Sequence, residues 1–441
     1  MAELVSAITA PMDLSGYKNL SNVKMSRVSV QPENSTRVEV RKGQNVDIFF
    51  SIPSRFSTFL DGNSSYLTFT YQMTGTTAGT GHKVSFSNGN PSSLIRNLET
   101  QANSTVCDSI YNYNVISSLI DDFQDASRCK SLGTILEDKH QTLSKKGFER
   151  DCATSTSAGF TQKRRVCFPL MSQAFGSLQE KYLPIGTDCG WRMRITLEAP
   201  EIAFMSENTT EGGDADFDIG YVLEDITYEC SFCETDPATY NAIVKESGGV
   251  LKIPGTGIGN FSQALPATSG ASTSTVLIPA RYSSLRNIMT ILRESTVAST
   301  NSYNSTGART RANTTSVVYR LAGKNYPNLP ISCDGFTSSE SFAELLKCFH
   351  SLHATTQSVV FPAIAYASTG SAYNYSFACG IDFEQPGYSH AMMSGEDTQS
   401  YNTFLELKHD ASHVALVVEN YAFYDQILEI NTQSGEVMVS R

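Results

Sequence analysis

Two halves of this 441-residue chain repeat the same short motifs in the same order, which limits the folds open to it. An Ile-Pro-x-Arg motif begins at Ile52 and again at Ile278, and 278 − 52 gives a separation of 226 positions. A Cys-Asp pair begins at Cys107 and again at Cys333, with the same separation. The repetition predicts two copies of one structural unit.

A third match lies near the end of each half. Tyr221 with Asp225 returns as Tyr421 with Asp425, and 421 − 221 gives a separation of 200. Because the three matches are collinear, we interpret the shorter spacing as a difference in loop length. Each copy is then long enough for a sandwich of about eight strands with long loops.

The hydrophobic pattern of both halves is typical of strands. Residues 37–41 alternate polar and apolar side chains, and residues 66–71 place Leu67, Phe69 and Tyr71 on one face. Residues 46–52 form a further candidate that Pro53 ends. The other predicted strands are residues 191–197, 220–229, 276–279, 358–366, 373–382, 403–408, 414–419 and 427–430.

Two segments show helical periodicity instead, and each follows a Cys-Asp pair. Apolar side chains recur at helical spacing in both segments, at Ile116, Leu119, Ile120 and Phe123, and at Phe342, Leu345, Leu346, Phe349 and Leu352. Thr337 and Glu340 form a candidate capping box before the second helix. We therefore expect short helices at equivalent places in the two halves.

Long polar stretches separate these elements. Residues 74–93, 262–275 and 294–315 are rich in Ser, Thr, Gly and Asn and lack periodicity. Because loops of this length are usually functional surfaces, we expect them to be exposed insertions on a rigid scaffold.

Composition excludes several classes of function. The net charge is −11 and only 17% of residues are charged. The densest basic runs, at Lys145 and at Lys163, are too short for binding a polyanion, so no direct contact with nucleic acid is expected. The first residues lack a signal-peptide pattern, and the longest apolar run, residues 359–367, cannot span a bilayer. We therefore expect a soluble, non-secreted protein.

The cysteines are scattered too irregularly for a disulfide framework. All 10 are expected to be free thiols. Cys230 and Cys233 form a lone CxxC at a predicted strand end, where positions i and i+3 point to opposite faces, so a zinc site is not expected.

Three other motifs imitate binding sites without meeting their requirements. Cys348 with His350 and His353 lies at a helix end, where histidines also suit the helix dipole. The acidic run at residues 214–218 lacks the glycine of a calcium loop, and the glycines of residues 255–259 do not form a phosphate-binding motif. We therefore predict no catalytic, cofactor-binding or metal-binding residue, and no enzyme.

Several segments together resemble one protein family. Residues 43–53 followed by residues 59–69 resemble the opening strands of double jelly-roll major capsid proteins of virophages, polinton-like viruses and larger eukaryotic DNA viruses. Further similar segments are residues 94–96, 111–114, 183–185, 191–197 and 221–228 in the first half, and residues 381–382, 394–395 and 425–431 in the second.

The resemblance implies an all-β chain of two tandem jelly-roll β-sandwiches with a few short helices and long loops. We assign residues 1–30 to an N-terminal arm, residues 31–236 to the first jelly roll and residues 237–441 to the second. The implied function is that of a major capsid protein, made in the host cytoplasm and located in the virion shell. Its expected partners are itself, as a homotrimeric pseudo-hexameric capsomer, neighbouring capsomers, and minor capsid or penton proteins.

The sequence leaves other functions open. A viral spike or a lectin-like binding protein can use the same sandwich, and so can a single jelly-roll capsid or penton protein. A β-sandwich glycosidase would need a pair of facing carboxylates, and the sequence singles out none. The sequence also leaves open whether an internal membrane lies beneath a shell.

Overall fold

The computed structural model describes residues 23–75, 83–123, 153–154, 160–187, 189–207, 219–296, 305–333, 338–349, 366–367, 376–384 and 393–441. Several predicted features lie outside these residues: the arm up to residue 22, the basic pair at Lys145, the acidic run at 214–218, His350, His353, Thr337 and the candidate strand at 358–365.

The described chain is built mainly of antiparallel strands. The first half contains β1 (Lys24–Val30), β2 (Val38–Val40), β3 (Asp47–Ser51), β4 (Thr58–Gly75), β5 (Lys83–Phe86), β6 (Ile95–Ala102), β7 (Thr105–Tyr111), β8 (Ala153–Thr154), β9 (Lys163–Phe168), β10 (Leu183–Pro184), β11 (Trp191–Leu197), β12 (Phe204–Glu207) and β13 (Ile219–Glu234). The second half contains β14 (Val250–Leu265), β15 (Ser272–Ile278), β16 (Leu285–Glu294), β17 (Thr314–Leu321), β18 (Lys324–Ser332), β19 (Cys379–Asp382), β20 (Thr403–His409), β21 (Leu416–Asn431) and β22 (Val437–Ser440).

Four helices of ten residues or fewer accompany these strands in the described residues. They are α1 (Tyr113–Asp122), α2 (Pro200–Ala203), α3 (Pro237–Glu246) and α4 (Ser339–Cys348). The two helices predicted from periodicity are α1 and α4. In the structure α1 follows β7 and α4 follows β18. The predicted capping box differs, because Ser338 is the N-cap of α4 and Glu340 accepts from the Ser332 amide at 3.1 Å.

Each half has the winding of a jelly roll. In the first half one sheet has the order β1-β13-β4-β10, and the other has the order β3-β11-β6-β7. The chain passes repeatedly between the two sheets, which pack face to face over a shared apolar core. A small third sheet, β12-β5-β8, is added to the first half.

The second half repeats the four-strand order of each of these two sheets. Its sheets are β14-β21-β16-β19 and β15-β20-β17-β18. Ile52 follows β3 and Ile278 ends β15, and these two strands are the equivalent edges of equivalent sheets. The predicted duplication of the fold is therefore confirmed.

The helices follow the same repeat. The bounds of α4 are those of α1 advanced by 226 positions (339 − 113 and 348 − 122). The N-cap residues Asn112 and Ser338 are also separated by 226 (338 − 112), and both have left-handed backbone conformation, with φ of 50° and 45°. The sequence does not reveal this shared backbone detail.

The third sequence match is not equivalent in register. Tyr221 lies opposite Met73, near the end of β4, whereas Tyr421 lies opposite Met289, in the middle of β16. Asp225 is exposed and Asp425 is buried. The match therefore identifies equivalent strands, β13 and β21, but not equivalent positions on them.

Two strand predictions also need correction. Residues 414–419 and 427–430 were predicted as separate strands, but most of both lie in the single 16-residue strand β21. Residues 24–30, which the sequence assigns to an arm, form β1, and every residue of β1 pairs with β13. The alternating burial of β1 is weak, which hides this strand from pattern analysis.

Candidate functional site between the two halves

Every described strand pair joins strands of one half, and the two sandwiches meet through side chains, loops and one isolated backbone bridge between Gln179 and Gly255. Among the described residues no group of three or more His, Cys, Asp and Glu side chains could hold a metal ion. The feature that sets this chain apart from a single sandwich is the contact between its two halves, and we treat that contact as the candidate functional site.

A buried carboxylate lies at the centre of this contact. Glu419 in β21 accepts hydrogen bonds from Arg293 of β16 at 2.9 Å and from Asn260 of β14 at 3.0 Å. From the first half, Asn112 Nδ2 donates to its two oxygens at 3.1 and 3.2 Å. Only 1% of the Glu419 side chain is exposed. A buried charge needs such a full set of partners, because it has lost its hydration.

Asn112 can reach Glu419 because of its backbone. It is the N-cap of α1 in left-handed conformation, and its side chain does not cap the helix. Asn tolerates this conformation better than most residues. Its carbonyl oxygen also accepts from the Tyr421 hydroxyl at 3.1 Å. One residue of the first half therefore bonds β21 through both its side chain and its backbone.

An ion pair joins the two halves at the other end of α1. The Arg309 guanidinium donates to the carboxylate of Asp122, and neither side chain is more than 7% exposed. Next to it, Phe123 stacks on Phe349 with ring centroids 4.8 Å apart, and on Phe342 at 6.0 Å. The duplicated helices α1 and α4 thus meet through aromatic rings at their ends.

The two polar segments predicted as exposed insertions lie in this contact. Residues 305–312 are buried throughout, and the side chains described within residues 84–94 are buried as well. Ser305 and Ser87, one from each segment, donate to the Ile202 carbonyl at 2.7 and 2.8 Å. The prediction of exposure was wrong for these residues; the hydroxyls of Ser87 and Ser305 find a backbone partner in the interior. Of the 262–275 stretch, residues 266–271 lie between strands and are mostly exposed.

The glycines of residues 255–259 allow a close approach of the halves. A Cβ atom on Gly255 would lie 2.4 Å from Cγ of Gln173 in the first half. Gln173 Nε2 donates to the carbonyls of Ile253 and Gln426 at 3.1 and 3.3 Å. In return, Gln426 Nε2 donates to the Cys107 carbonyl at 2.6 Å. The motif that imitates a phosphate loop therefore serves packing between the sandwiches.

The repeated Cys-Asp pair of the first half holds the loop that carries Gln173. Asp108 Oδ2 accepts from Ser172 Oγ at 2.7 Å and from the Gln173 amide at 2.9 Å. Burial raises the pKa of Asp108, and these hydrogen bonds oppose that rise. These hydrogen bonds hold the loop in the position from which Gln173 contacts the second half.

The C-terminal residue adds a further link between the halves. Arg441 donates to the carbonyls of Val106 and Cys107, both at 3.1 Å. Nearby, Asn103 Nδ2 donates to the Gly435 carbonyl at 3.0 Å. Strand β7 of the first half therefore contacts the second half through the backbone carbonyls of Val106 and Cys107.

The described cysteines are mostly buried in the cores. Eight are free: Cys107, Cys167, Cys189, Cys230, Cys233, Cys333, Cys348 and Cys379. Cys230 belongs to the main core and Cys233 to a small cluster with Phe59 and Tyr240, so the two point to opposite faces of β13. Burial raises the pKa of Cys107 and of Cys379 to about 12, which keeps these thiols protonated near neutral pH.

No family model and no curated protein matches the sequence. Solved structures do match the fold. PBCV-1 VP54 superposes with a TM-score of 0.62 at 10% identity, over 96% of this chain and 98% of that one. The chain has the double jelly-roll fold.

Two viral proteins with this fold show how far the likeness extends. The mavirus major capsid protein gives a TM-score of 0.54 at 9% identity, covering 95% of this chain and 90% of that one. The Faustovirus major capsid protein gives 0.55 at 10% identity, covering 93% and 91%. Because both chains are covered almost fully in each comparison, the double jelly roll here includes both sandwiches and the contact between them.

Proposed function

We propose that this double jelly-roll chain is a major capsid protein, a subunit that assembles into the shell of an icosahedral virus. The observation that carries the proposal is the match of both sandwiches, in order and over nearly the whole chain, to viral major capsid proteins. The buried contact between the halves supports it, since a shell tile needs a stiff body. The proposed role is structural and requires no catalysis and no cofactor.

The domain limits belong to this proposal. We place the end of the first jelly roll near Asp236, because β13 ends at Glu234 and β14 begins at Val250. Helix α3 lies between them, and Asp236 caps it by accepting from the Ala238 amide at 3.0 Å. Tyr240 of α3 packs on Phe56 and Phe59 of the first half, so the linker is a docked helix.

The chain is further proposed to form a homotrimer with a pseudo-hexagonal outline. Strand β7, an edge of its sheet, is bonded to the second half through the carbonyls of Val106 and Cys107. Its equivalent β18 is an edge of the second half and exposes 77% of Leu329. In the same way β14 lies against the first half, whereas its equivalent β1 exposes 61% of Met25. The surfaces that join the halves thus have exposed counterparts on β18 and β1.

Repeating the same contact between copies would close a ring. A heterologous contact generates a closed ring when its rotation divides a full turn evenly. Two similar sandwiches per chain, taken three times, give six lobes. We propose that β18 of one copy faces β1 of the next, and that neighbouring capsomers and minor capsid or penton proteins contact the outer edges of this ring in the virion shell. Synthesis in the host cytoplasm is part of the same proposal.

One variant pair tests this arrangement directly. Leu329→Asp places a charge on β18, and Leu277→Asp places one on β15, the opposite edge of the same sheet, where Leu277 is 44% exposed. Mass by light scattering is expected to fall from a trimer to a monomer for Leu329→Asp only. A trimer that survives this change, or equal effects of both changes, would contradict the proposed contact.

Assembly itself needs a separate measurement. Electron microscopy of the purified protein is expected to show six-lobed particles about the size of three chains, and shells or sheets at high protein and salt concentration, because salt screens repulsion between chains of net charge −11. A stable monomer under these conditions, with glycan binding, would favour a lectin-like binding protein instead.

A further inference from the structure

Two neighbouring histidines lie buried beside the segment of residues 305–314, with their ring planes inclined at 46°. His409, the last residue of β20, and His413 have ring centroids 4.3 Å apart. They are 1% and 7% exposed. A pair of imidazoles this close and this buried is stable only while at most one ring carries a charge, because like charges repel strongly in a dry interior.

The hydrogen bonds of both rings fit the neutral form. His409 Nδ1 lies 2.9 Å from the Ala312 carbonyl oxygen, and His413 Nδ1 lies 2.8 Å from the Val414 carbonyl oxygen. Each Nδ1 therefore carries the proton that the carbonyl accepts, which leaves Nε2 as the site for a second proton. Both Nε2 atoms are buried, and within the described residues neither has a hydrogen-bond partner.

The surroundings offer little compensation for added charge. Strands β15 and β17 pair with β20 beside His409 through Ser272 and Thr314, and both residues are uncharged. Thr268, also uncharged, pairs with His413. Desolvation lowers the pKa of His409 and the neighbouring His413 lowers it further, whereas the hydrogen bond to Ala312 and the charge of Asp410 act in the opposite direction. Asp410 is exposed, so water screens its effect.

Hydrogen bonds and a short stretch of chain link the histidine pair to the contact between the halves. The Ala312 carbonyl that His409 holds belongs to a turn in which Ala312 and Asn313 both have positive φ, 51° and 57°. Asn313 Nδ2 donates to the Ser412 carbonyl at 2.7 Å, and the Asp410 amide donates to the Asn313 carbonyl at 3.1 Å. Three residues before this turn, Arg309 pairs with Asp122 of the first half.

We propose that His409 and His413 form an acid-sensitive latch, which fixes the 305–314 segment and its Arg309–Asp122 bridge near neutral pH and releases them on acidification. Protonation of the second Nε2 places two positive charges in one buried site. The pair relieves this repulsion by separating and exposing the rings, which breaks the bond from His409 to Ala312. The segment then loses its anchor on β20, and the contact between the sandwiches loosens without unfolding either sandwich.

The test compares hydrogen exchange of the full chain at pH 7.5 and pH 5.5. Peptides covering residues 305–314 are expected to lose at least about tenfold in protection at pH 5.5, after correction for the intrinsic rate, while peptides from β11 keep theirs. The variant His409→Asn with His413→Asn retains an amide nitrogen close to the position of Nδ1 but cannot be protonated. Its protection is expected to be equal at the two pH values.

Controls assign the effect to this pair. A variant with the other five histidines changed to Asn (residues 82, 140, 350, 353 and 390) is expected to keep the loss at pH 5.5. His413→Asn alone removes the like-charged partner and serves if the double variant does not fold at pH 7.5. Unchanged protection of the wild type at pH 5.5, or an equal loss in the folded Asn variant, would overturn the latch. Because the measurement needs no assembly, its failure leaves the capsid proposal untouched.

Discussion

Asn112 Nδ2 donates to both carboxylate oxygens of Glu419, and this pair is the point at which the first jelly roll enters the buried polar network of the second. Arg293 and Asn260 complete the shell around the same carboxylate. The two sandwiches are therefore joined by hydrogen bonds that cannot be exchanged for water without opening the interface.

The first prediction concerns this pair. Asn112→Gly removes the side chain and still tolerates the left-handed backbone, so its effect reports the lost hydrogen bonds together with the backbone entropy of glycine. We expect the free energy of unfolding to fall by about 1–3 kcal/mol, since Glu419 loses one of its buried donors. Asn112→Asp should cost more, because it places a second carboxylate against Glu419. Urea unfolding measures both, and equal stability of Asn112→Asp and the wild type would contradict this role of Asn112.

A second prediction concerns the bridge from Arg309 to Asp122. Arg309→Met leaves a buried carboxylate without its cation, and we expect a loss of about 3–5 kcal/mol in unfolding free energy. Arg320→Met is the matched control, because Arg320 pairs with Glu406 at 2.7 Å on the surface, where 47% of the arginine side chain is exposed. That change should cost about 0–1 kcal/mol. Similar losses in the two variants would show that Arg309 is not a structural bridge.

The third prediction tests the close approach at Gly255. In Gly255→Ala the new methyl group meets Gln173, and we expect destabilisation of about 1–3 kcal/mol from overpacking. Gly270→Ala is the control, since a Cβ there meets no atom within 4 Å. The double variant Gly255→Ala with Gln173→Ala should recover part of the loss, as thermal melting can measure. An unchanged melting temperature for Gly255→Ala would contradict a close contact between Gly255 and Gln173.

The fourth prediction uses the raised pKa of Glu198. Burial is the main cause of the rise, and hydrogen bonds from Ala199 and Asn114 oppose it. A raised carboxyl pKa means that the folded state binds the proton more tightly than the unfolded state does. Protonation of Glu198 therefore stabilises the fold below about pH 4.5, and this stabilisation is lost as pH rises through the folded pKa. Glu198→Gln removes this dependence. The free energy of unfolding of the variant minus that of the wild type should be larger at pH 7 than at pH 4. A difference that does not change with pH would contradict the raised pKa of Glu198.

The fifth prediction concerns the thiols. When the protein is unfolded without reductant, all 10 cysteine thiols should react with a thiol reagent. In the native protein we expect Cys167 to react first among the described cysteines, because it is only partly buried and the other seven are buried. Cys167→Ser should remove the fastest phase of the reaction. A titre well below ten would indicate disulfides or bound metal.

How the repeated motifs relate to structure shows the limits of sequence reasoning. The Ile-Pro-x-Arg motif and the periodicity of α1 and α4 predicted equivalent elements, because strand ends and amphipathic helices are set by neighbours in the chain. The Tyr-Asp match identified equivalent strands only, because a short match of common residues does not specify which residues of the neighbouring strand it faces.

The sequence by itself determined that this protein has two strand-rich halves with matching helices, since side-chain alternation and helical periodicity are local properties. Only the tertiary structure decided that residues 305–312 are buried and that Arg309, Asn112 and Glu419 serve the contact between the halves. Serine, threonine and arginine in an aperiodic stretch look like an exposed loop. Whether their polar groups bond to water or to the other sandwich depends on partners hundreds of residues away, and no local pattern records such partners.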